Sequence, residues 1–182
     1  SFQEAVDEDE EKFGRVDLLI NNGGVMLLGN EIMKNSKEWQ QMLNVNVMGV
    51  LNGVKSVLAN MVSRNHGTIV NISSIAGRKT FPDHAAYCAT KFAVHALSEN
   101  IRGEIAGSNV RMTIIAPGVV ETELLSHTTD AAIVDGYKAW KANTIEQGLN
   151  PDDIARAIEF AYAQPQNVCI REIVIADTKQ DA

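Results

Sequence analysis

The sequence predicts a layered α/β fold built on a parallel sheet with right-handed crossovers, and two observations predict it. Residues 16–22, 68–72, 110–116 and 170–176 are short apolar runs of the kind buried on both faces of a sheet. Between them lie segments whose apolar residues recur at helical spacing, so strands and helices alternate. Composition agrees. At 182 residues, with 45% hydrophobic and 21% charged positions, the chain suits one folded domain and is too apolar for disorder.

Each element has a local reason. Residues 1–13 form an acidic helix with Phe2, Val6 and Phe13 as apolar contacts and Gly14 as its stop. The strand at 16–22 runs into Gly23-Gly24, where a turn or a close backbone approach is expected. A long helix is predicted over 36–64, with Ser36 as N-cap and a stripe running from Trp39 through Met42, Val50 and Val54 to Met61. Val45, Met48 and Val57 lie off that stripe, so this helix is expected to cover the sheet and to meet a second subunit as well. Asn65-His66-Gly67 is the turn into the second strand, and His66 reads as a turn residue. A second helix follows over 83–105, then a strand broken by Pro117-Gly118. Asn150-Pro151-Asp152-Asp153 is a helix start, with the acids at the positive dipole end. Residues 122–149 read as a long irregular segment, and such segments are usually functional.

Several classes are excluded. The 16 Lys plus Arg against 23 Asp plus Glu leave a net charge of −7 without a basic cluster, unsuited to a phosphate backbone. No stretch reads as the roughly 20 uncharged apolar residues of a membrane span. Cys88 and Cys169 lack CxxC spacing and read as reduced cytoplasmic thiols rather than a zinc site or a disulfide. Asn71-Ile72-Ser73 matches a glycosylation sequon, but its place in a buried strand argues against modification. The first dozen residues read as a helix already under way, with no signal-peptide pattern, so the beginning looks cut.

Ligands of an open α/β sheet bind beyond the carboxyl ends of the strands. The first three strands end in Asn21-Asn22-Gly23-Gly24, Ser73-Ser74 and Pro117-Gly118, so polar and conformationally special residues converge on that edge. Tyr87 and Lys91, four apart on the second helix, project from one face. A phenol with a pKa of about 10 is a weak base at neutral pH, and a nearby ammonium is expected to lower that value. Tyr87 then becomes a usable general acid/base. Ser74 can hydrogen-bond a substrate carbonyl, although a strand-ending serine is more often a turn or cap residue. Asn46 sits mid-helix against its propensity, either as a tolerated amide or as a group whose amide or freed carbonyl holds a water.

These residues fall into five motifs in register: Asn21-Asn22-Gly23-Gly24, Asn46-Val47-Met48-Gly49, Ile72-Ser73-Ser74, Tyr87-Cys88-Ala89-Thr90-Lys91 and Pro117-Gly118-Val119-Val120-Glu121-Thr122. The series resembles that of the short-chain dehydrogenase/reductases, NNAG, NxxG, Ser, YxxxK and PGxVxT, over nearly the whole chain. Gly23 stands where alanine is usual. The resemblance implies a doubly wound Rossmann-like parallel sheet with helices on both faces, and an oxidoreductase moving hydride between a nicotinamide cofactor and a small alcohol or carbonyl compound. By resemblance, Tyr87 would exchange the proton, Ser74 would orient the substrate oxygen, and Asn46 would hold a water linking Lys91 to solvent. Lys91 would bind the nicotinamide ribose and lower the Tyr87 pKa. Pro117, Gly118, Val120 and Thr122 would hold the carboxamide and phosphates, with Asn22 and Gly23 on the adenosine side.

Members of this family open with a strand, a TGxxxGxG phosphate loop and a further βα unit, about 60 to 80 residues that this sequence does not contain. Residues 1–182 therefore read as the back two-thirds of a single Rossmann domain, with 122–149 as a substrate lid. Within the family, residues 61–67 (MVSRNHG) and 149–175 are similar to NADP-dependent serine/3-hydroxy acid dehydrogenase-like and clavulanate dehydrogenase-like bacterial reductases; NADP rests on that likeness, and NAD stays open. A cytoplasmic homo-oligomer, dimer or tetramer, is expected through the helices at 36–64 and 83–105. His84 is a candidate to line the pocket. His127, Leu124, Leu125, Ile133, Tyr137 and Trp140 form a lid or pack on the last helix. Two other readings stand: a non-catalytic fragment serving as an oligomerisation or regulatory module, and a same-fold epimerase or dehydratase.

Overall fold

The computed structural model describes residues 2–30, 32 and 35–180. Helix α1 (Phe2–Phe13) leads into β1 (Leu18–Asn21) and then α2 (Ser36–Leu43), a π turn (Asn44–Met48) and α3 (Gly49–Ser63). Strand β2 (Gly67–Ile72), a 3-10 turn (Ile75–Gly77), α4 (Ala85–Glu104) and β3 (Val110–Pro117) follow. A 3-10 turn (Glu123–His127), α5 (Ala131–Thr144), α6 (Pro151–Tyr162) and β4 (Glu172–Ile175) complete the order. The four strands pair in parallel as β1-β2-β3-β4, with Ile69 opposite Met112 and Ile115 opposite Ile173. The α/β parallel sheet predicted from the alternation of patterns is what forms.

Strand alternation distributes the helices. Ile69, Val110 and Met112 point toward α3 and α4, where they meet Val50, Val54, Val57, Met61 and Val94 in one buried cluster. Their neighbours Thr68 and Arg111 point the other way, toward the end of α6. Helices therefore cover both faces. Ile20, on the edge strand β1, is left exposed.

Arg111 shows what this packing demands. Its buried guanidinium donates to Thr68 Oγ1 at 2.9 Å, Tyr162 O at 2.9 Å and Gln164 O at 2.8 Å. All three are neutral oxygens, two of them near the C-terminus of α6, where the helix dipole is negative. The arginine thus satisfies backbone acceptors while the dipole offsets its charge. Arg111→Met should cost about 2–4 kcal/mol, because it strands several buried acceptors at once. Urea unfolding measures this; a midpoint equal to wild type would show that the acceptors find other partners.

The predicted helix over 36–64 is continuous in path but not in geometry. Its N-cap is Asn35, which accepts from Lys37 N at 3.0 Å, rather than Ser36. At the π turn Gly49 N–H reaches back five residues to Asn44 O. The reason lies in the sequence: Met42, Asn46, Val50 and Val54 are all buried at a spacing of four. At 100° per residue that row drifts by about 40° per step, and the wider turn removes part of the drift. Among the described residues, Ser36–Ser63 is long and apolar enough for a membrane span, but it lies against the sheet as a core helix.

The expectation of an irregular segment over 122–149 is corrected. Half of it is α5, capped by Asp130, whose carboxylate accepts from Ala132 N and Ile133 N at 3.0 and 3.2 Å. No α5 residue is fully buried, so its inward stripe is thin: Ile133 and Tyr137, four apart, pack on the core cluster.

Candidate active site

The carboxyl ends of β1, β2 and β3 bring the sequence-predicted residues together. Lys91, buried on α4, donates from Nζ to Ile72 O at 3.1 Å. Burial pushes its pKa down to about 8. A Cβ on Gly24 would lie 3.8 Å from Lys91 Nζ and 3.6 Å from Asn46 Oδ1, so the turn after β1 passes in contact with both. Gly23, by contrast, has open space where its Cβ would stand. The departure from alanine there is sterically free. Asn22 and Gly23 are exposed at the end of β1.

Tyr87 lies one helical turn from Lys91, with its ring centroid 5.7 Å from Nζ. Its phenol pKa is raised, not lowered: burial dominates, and the hydrogen bond with the Ser74 hydroxyl pulls back only part of the shift. The expected depression by Lys91 is corrected for the same reason. Both groups have lost their water, and that loss outweighs the attraction between them at this distance. Tyr87 is a neutral acid in this form.

Ser74 sits two residues beyond β2 in extended backbone and caps the 3-10 turn by accepting from Ala76 N at 3.1 Å. Its hydroxyl also faces Pro117 O at 3.4 Å, a long contact that spans the ends of β2 and β3. Cap and site are the same atom.

Asn46 binds within the protein through both atoms of its amide. Its Oδ1 accepts from Val25 N at 2.8 Å, and its Nδ2 donates to Val25 O at 2.9 Å and Thr90 Oγ1 at 3.0 Å. Both amide hydrogens are therefore used, while Oδ1 keeps one acceptor site beside the backbone carbonyl. Thr90 in turn donates to Tyr87 O at 2.7 Å, so one chain of bonds sets the β1 turn against the helix turn carrying Tyr87.

A second buried chain went unread in the sequence. Asn21 Nδ2 donates to Asn71 Oδ1 at 2.8 Å, Asn71 Nδ2 to Ser98 Oγ at 2.8 Å, and Ser98 Oγ to Val94 O at 2.6 Å. It ties β1, β2 and α4 together beneath the site. Gly53 is required beside it, because a Cβ there would stand 2.1 Å from Asn21 Oδ1. The available signal was Asn71 itself, a polar residue in the middle of an apolar strand.

Residues 117–122 form the other wall. Gly118 N donates to Ile175 O at 2.8 Å, Val120 bridges Leu149, and the exposed Thr122 caps the 3-10 turn, with Leu124 N at 3.4 Å. Leu124, Leu125, Ile133 and Tyr137 pack on the cluster of Met26, Leu28, Met42, Tyr87 and Cys88. His84 stands between two tyrosines, its ring centroid 6.3 Å from Tyr87 and 6.3 Å from Tyr137. Its Nδ1–H donates to Pro82 O at 2.6 Å, and burial holds its pKa below the usual range, so it is neutral at pH 7. Tyr137 lies 5.5 Å from Trp140, and burial pushes its phenol up to about 12. Thr128 anchors the segment by donating to Met26 O at 3.0 Å and accepting from Leu28 N at 3.1 Å. His127 is exposed and takes no part in the wall.

These groups suit a particular ligand chemistry. Lys91 is a buried ammonium with three N–H donors, one of which goes to Ile72 O. The remaining donors and the Tyr87 hydroxyl suit a vicinal diol, as on the ribose of a nicotinamide nucleotide. Among the described residues no His/Cys/Asp/Glu group could hold a metal.

Comparison with known proteins identifies the family. Residues 1–132 match the short chain dehydrogenase family. An uncharacterized oxidoreductase of Staphylococcus saprophyticus is 42% identical over 170 residues, covering 92% of this chain and 68% of that protein. The chain thus spans about two-thirds of that relative's length. A serine dehydrogenase in a closed form complexed with NADP+ superposes with a TM-score of 0.86 at 30% identity, covering 99% of this chain and 74% of that one. A gluconate 5-dehydrogenase from Burkholderia cenocepacia, in complex with NADP and tartrate, gives a TM-score of 0.81 at 29% identity, with 96% and 68% covered. With the family match over most of its length and a relative at this identity, the chain belongs to the short-chain dehydrogenase family of oxidoreductases.

Proposed function

We propose that the protein is an NADP-dependent oxidoreductase acting on a small alcohol or carbonyl compound, with Tyr87 as general acid/base. The observation that carries this reading is the placement of the buried Tyr87 ring 5.7 Å from the buried Lys91 Nζ, with Ser74 at the end of β2 on the same edge of the sheet. The bound dinucleotide supplies or takes up the hydride. In reduction, Ser74 holds the carbonyl oxygen and Tyr87 gives it a proton. The ammonium of Lys91 then stabilises the phenolate that remains. With its pKa near 8, Lys91 can exchange a proton close to neutral pH. Asn46 sets the register of this helix turn through Thr90. Pro117, Gly118, Val120 and Thr122 receive the nicotinamide end, and Asn22 and Gly23 lie toward the adenosine.

The choice of NADP is supported by the NADP-bound neighbours, and a small hydroxylated substrate by their serine and gluconate chemistry. Residues 122–149 act as the substrate lid, with Tyr137 and His84 as its wall toward Tyr87. Exposed Leu43, Met48, Val62 and Phe92 on the two long helices support a homo-oligomer formed through those helices.

The test is loss of reduced-nicotinamide absorbance when the full-length protein meets a panel of small ketones and 3-oxo acids with NADPH or NADH. Turnover with NADPH is expected. No binding of either dinucleotide would defeat the reading and favour a non-catalytic module; a tenfold preference for NADH would defeat only the choice of NADP.

A further inference from the structure

A turn at residues 177–180 lies against the strand extension after β3, on the side proposed to receive the nicotinamide. Residues 177–180 close on themselves, with Gln180 N–H donating to Asp177 O at 2.9 Å and Lys179 N–H to Asp177 Oδ1 at 2.8 Å. That turn delivers the Gln180 side chain to the strand extension after β3. Its Oε1 accepts from Val119 N at 3.0 Å. The fit there is close: a Cβ on Gly118 would stand 2.2 Å from Gln180 Oε1 and 2.9 Å from Ala176 Cβ. Gly118 is thus the residue that lets the tail seat flush. On its carbonyl side Val119 accepts from Leu149 N at 2.9 Å, and Leu149 O accepts from Glu121 N at 2.9 Å. The backbone between Gly118 and Glu121 is therefore held from two directions, by the lid's far end and by the tail. A third tie, Lys179 Nζ to Glu146 Oε1 at 2.7 Å, is exposed and adds little.

We propose that Gln180 is a positioning residue for the cofactor: its carboxamide clamps the Val119 amide, and so holds the backbone at 117–120 in the form that receives the nicotinamide half. This rests on the reading of the protein as an NADP enzyme. Gln180 itself touches neither substrate nor cofactor. The physical reason is preorganisation, since a backbone that must order itself at the moment of binding loses affinity.

The clamp acts on one half of the dinucleotide, so the test compares two ligands in the full-length protein. NADPH carries the nicotinamide; 2′-phospho-ADP-ribose does not. Gln180→Leu should raise the Kd for NADPH about fivefold, the factor corresponding to one net hydrogen bond, and leave that for 2′-phospho-ADP-ribose unchanged. Gln180→Glu keeps an acceptor oxygen and should recover most of the NADPH affinity. Equal weakening of both ligands by Gln180→Leu, or no weakening of either, would overturn the clamp. Wild-type protein that binds neither ligand would overturn the NADP reading and the clamp together.

Discussion

Tyr87→Phe in the full-length protein should lower kcat by about 10²–10⁴ while changing dinucleotide affinity little. The substitution removes one oxygen and keeps the ring, so the packing of Tyr87 with Met26, Leu28, Met42 and Cys88 is preserved. What is lost is the hydroxyl proposed as the proton donor. Because the phenol pKa is raised by burial, wild-type Tyr87 is protonated throughout the neutral range. Reduction should therefore be nearly independent of pH there, whereas alcohol oxidation, which needs the phenolate, should rise with pH. Steady-state kinetics in both directions check this. A variant with wild-type turnover, or an oxidation rate that falls as pH rises, would remove Tyr87 from the chemistry.

Lys91→Met should abolish most turnover and at the same time stabilise the fold. Lys91 is buried with a pKa near 8, against 10.5 for an ordinary lysine. Holding that ammonium at neutral pH costs on the order of 3 kcal/mol. Methionine fills similar space without charge, and the carbonyl of Ile72 loses one donor, about 1 kcal/mol. The net gain of about 1–2 kcal/mol corresponds to roughly 2–8 °C in Tm for a domain of this size. The pH dependence has a definite sign. Between pH 8 and 10.5 the unfolded chain binds more protons at this site than the folded one, so the Lys91 contribution to stability rises with pH across that window. It is lost as pH falls through 8. Lys91→Met should remove that slope, and thermal melts from pH 7 to 10.5 would show it. A variant that melts below wild type at neutral pH would mean that the ammonium stabilises the unliganded protein.

The two substitutions separate what the site does from what the fold needs. Arg111 and Lys91 are both buried cations, yet they differ in their surroundings. Arg111 has three strong neutral acceptors and a helix C-terminus, whereas Lys91 has one carbonyl. The first is a structural group. The second is held short of partners, as expected where a ligand is to complete the shell.

Much of this was legible in the sequence. Continuous apolar runs identify buried parallel strands because both faces are covered, and the motif residues fall at their carboxyl ends because the topology leaves an opening there. Asn46, Ser74, Tyr87 and Lys91 could be listed from spacing alone. Their states could not. The sign of the Tyr87 shift depends on how much water burial removes, and no local pattern encodes that. Asn46 could be seen as out of place in a helix, but its partners Val25 and Thr90 lie 21 and 44 residues away. Helix α5 was hidden because its inward stripe is only Ile133 and Tyr137, too sparse for periodicity to register.

The sequence by itself determined the parallel α/β order and the residues that meet at the strand ends, because these follow from periodicity and local spacing, and its motif series carried the resemblance to the family. Only the tertiary structure decided that Tyr87 stands as a neutral acid, that Lys91 is held near pH 8, and that Gln180 returns to Val119. The physical reason is range. Hydrophobic periodicity acts within a few residues, whereas desolvation and long-range hydrogen bonds depend on which distant segments share one small volume.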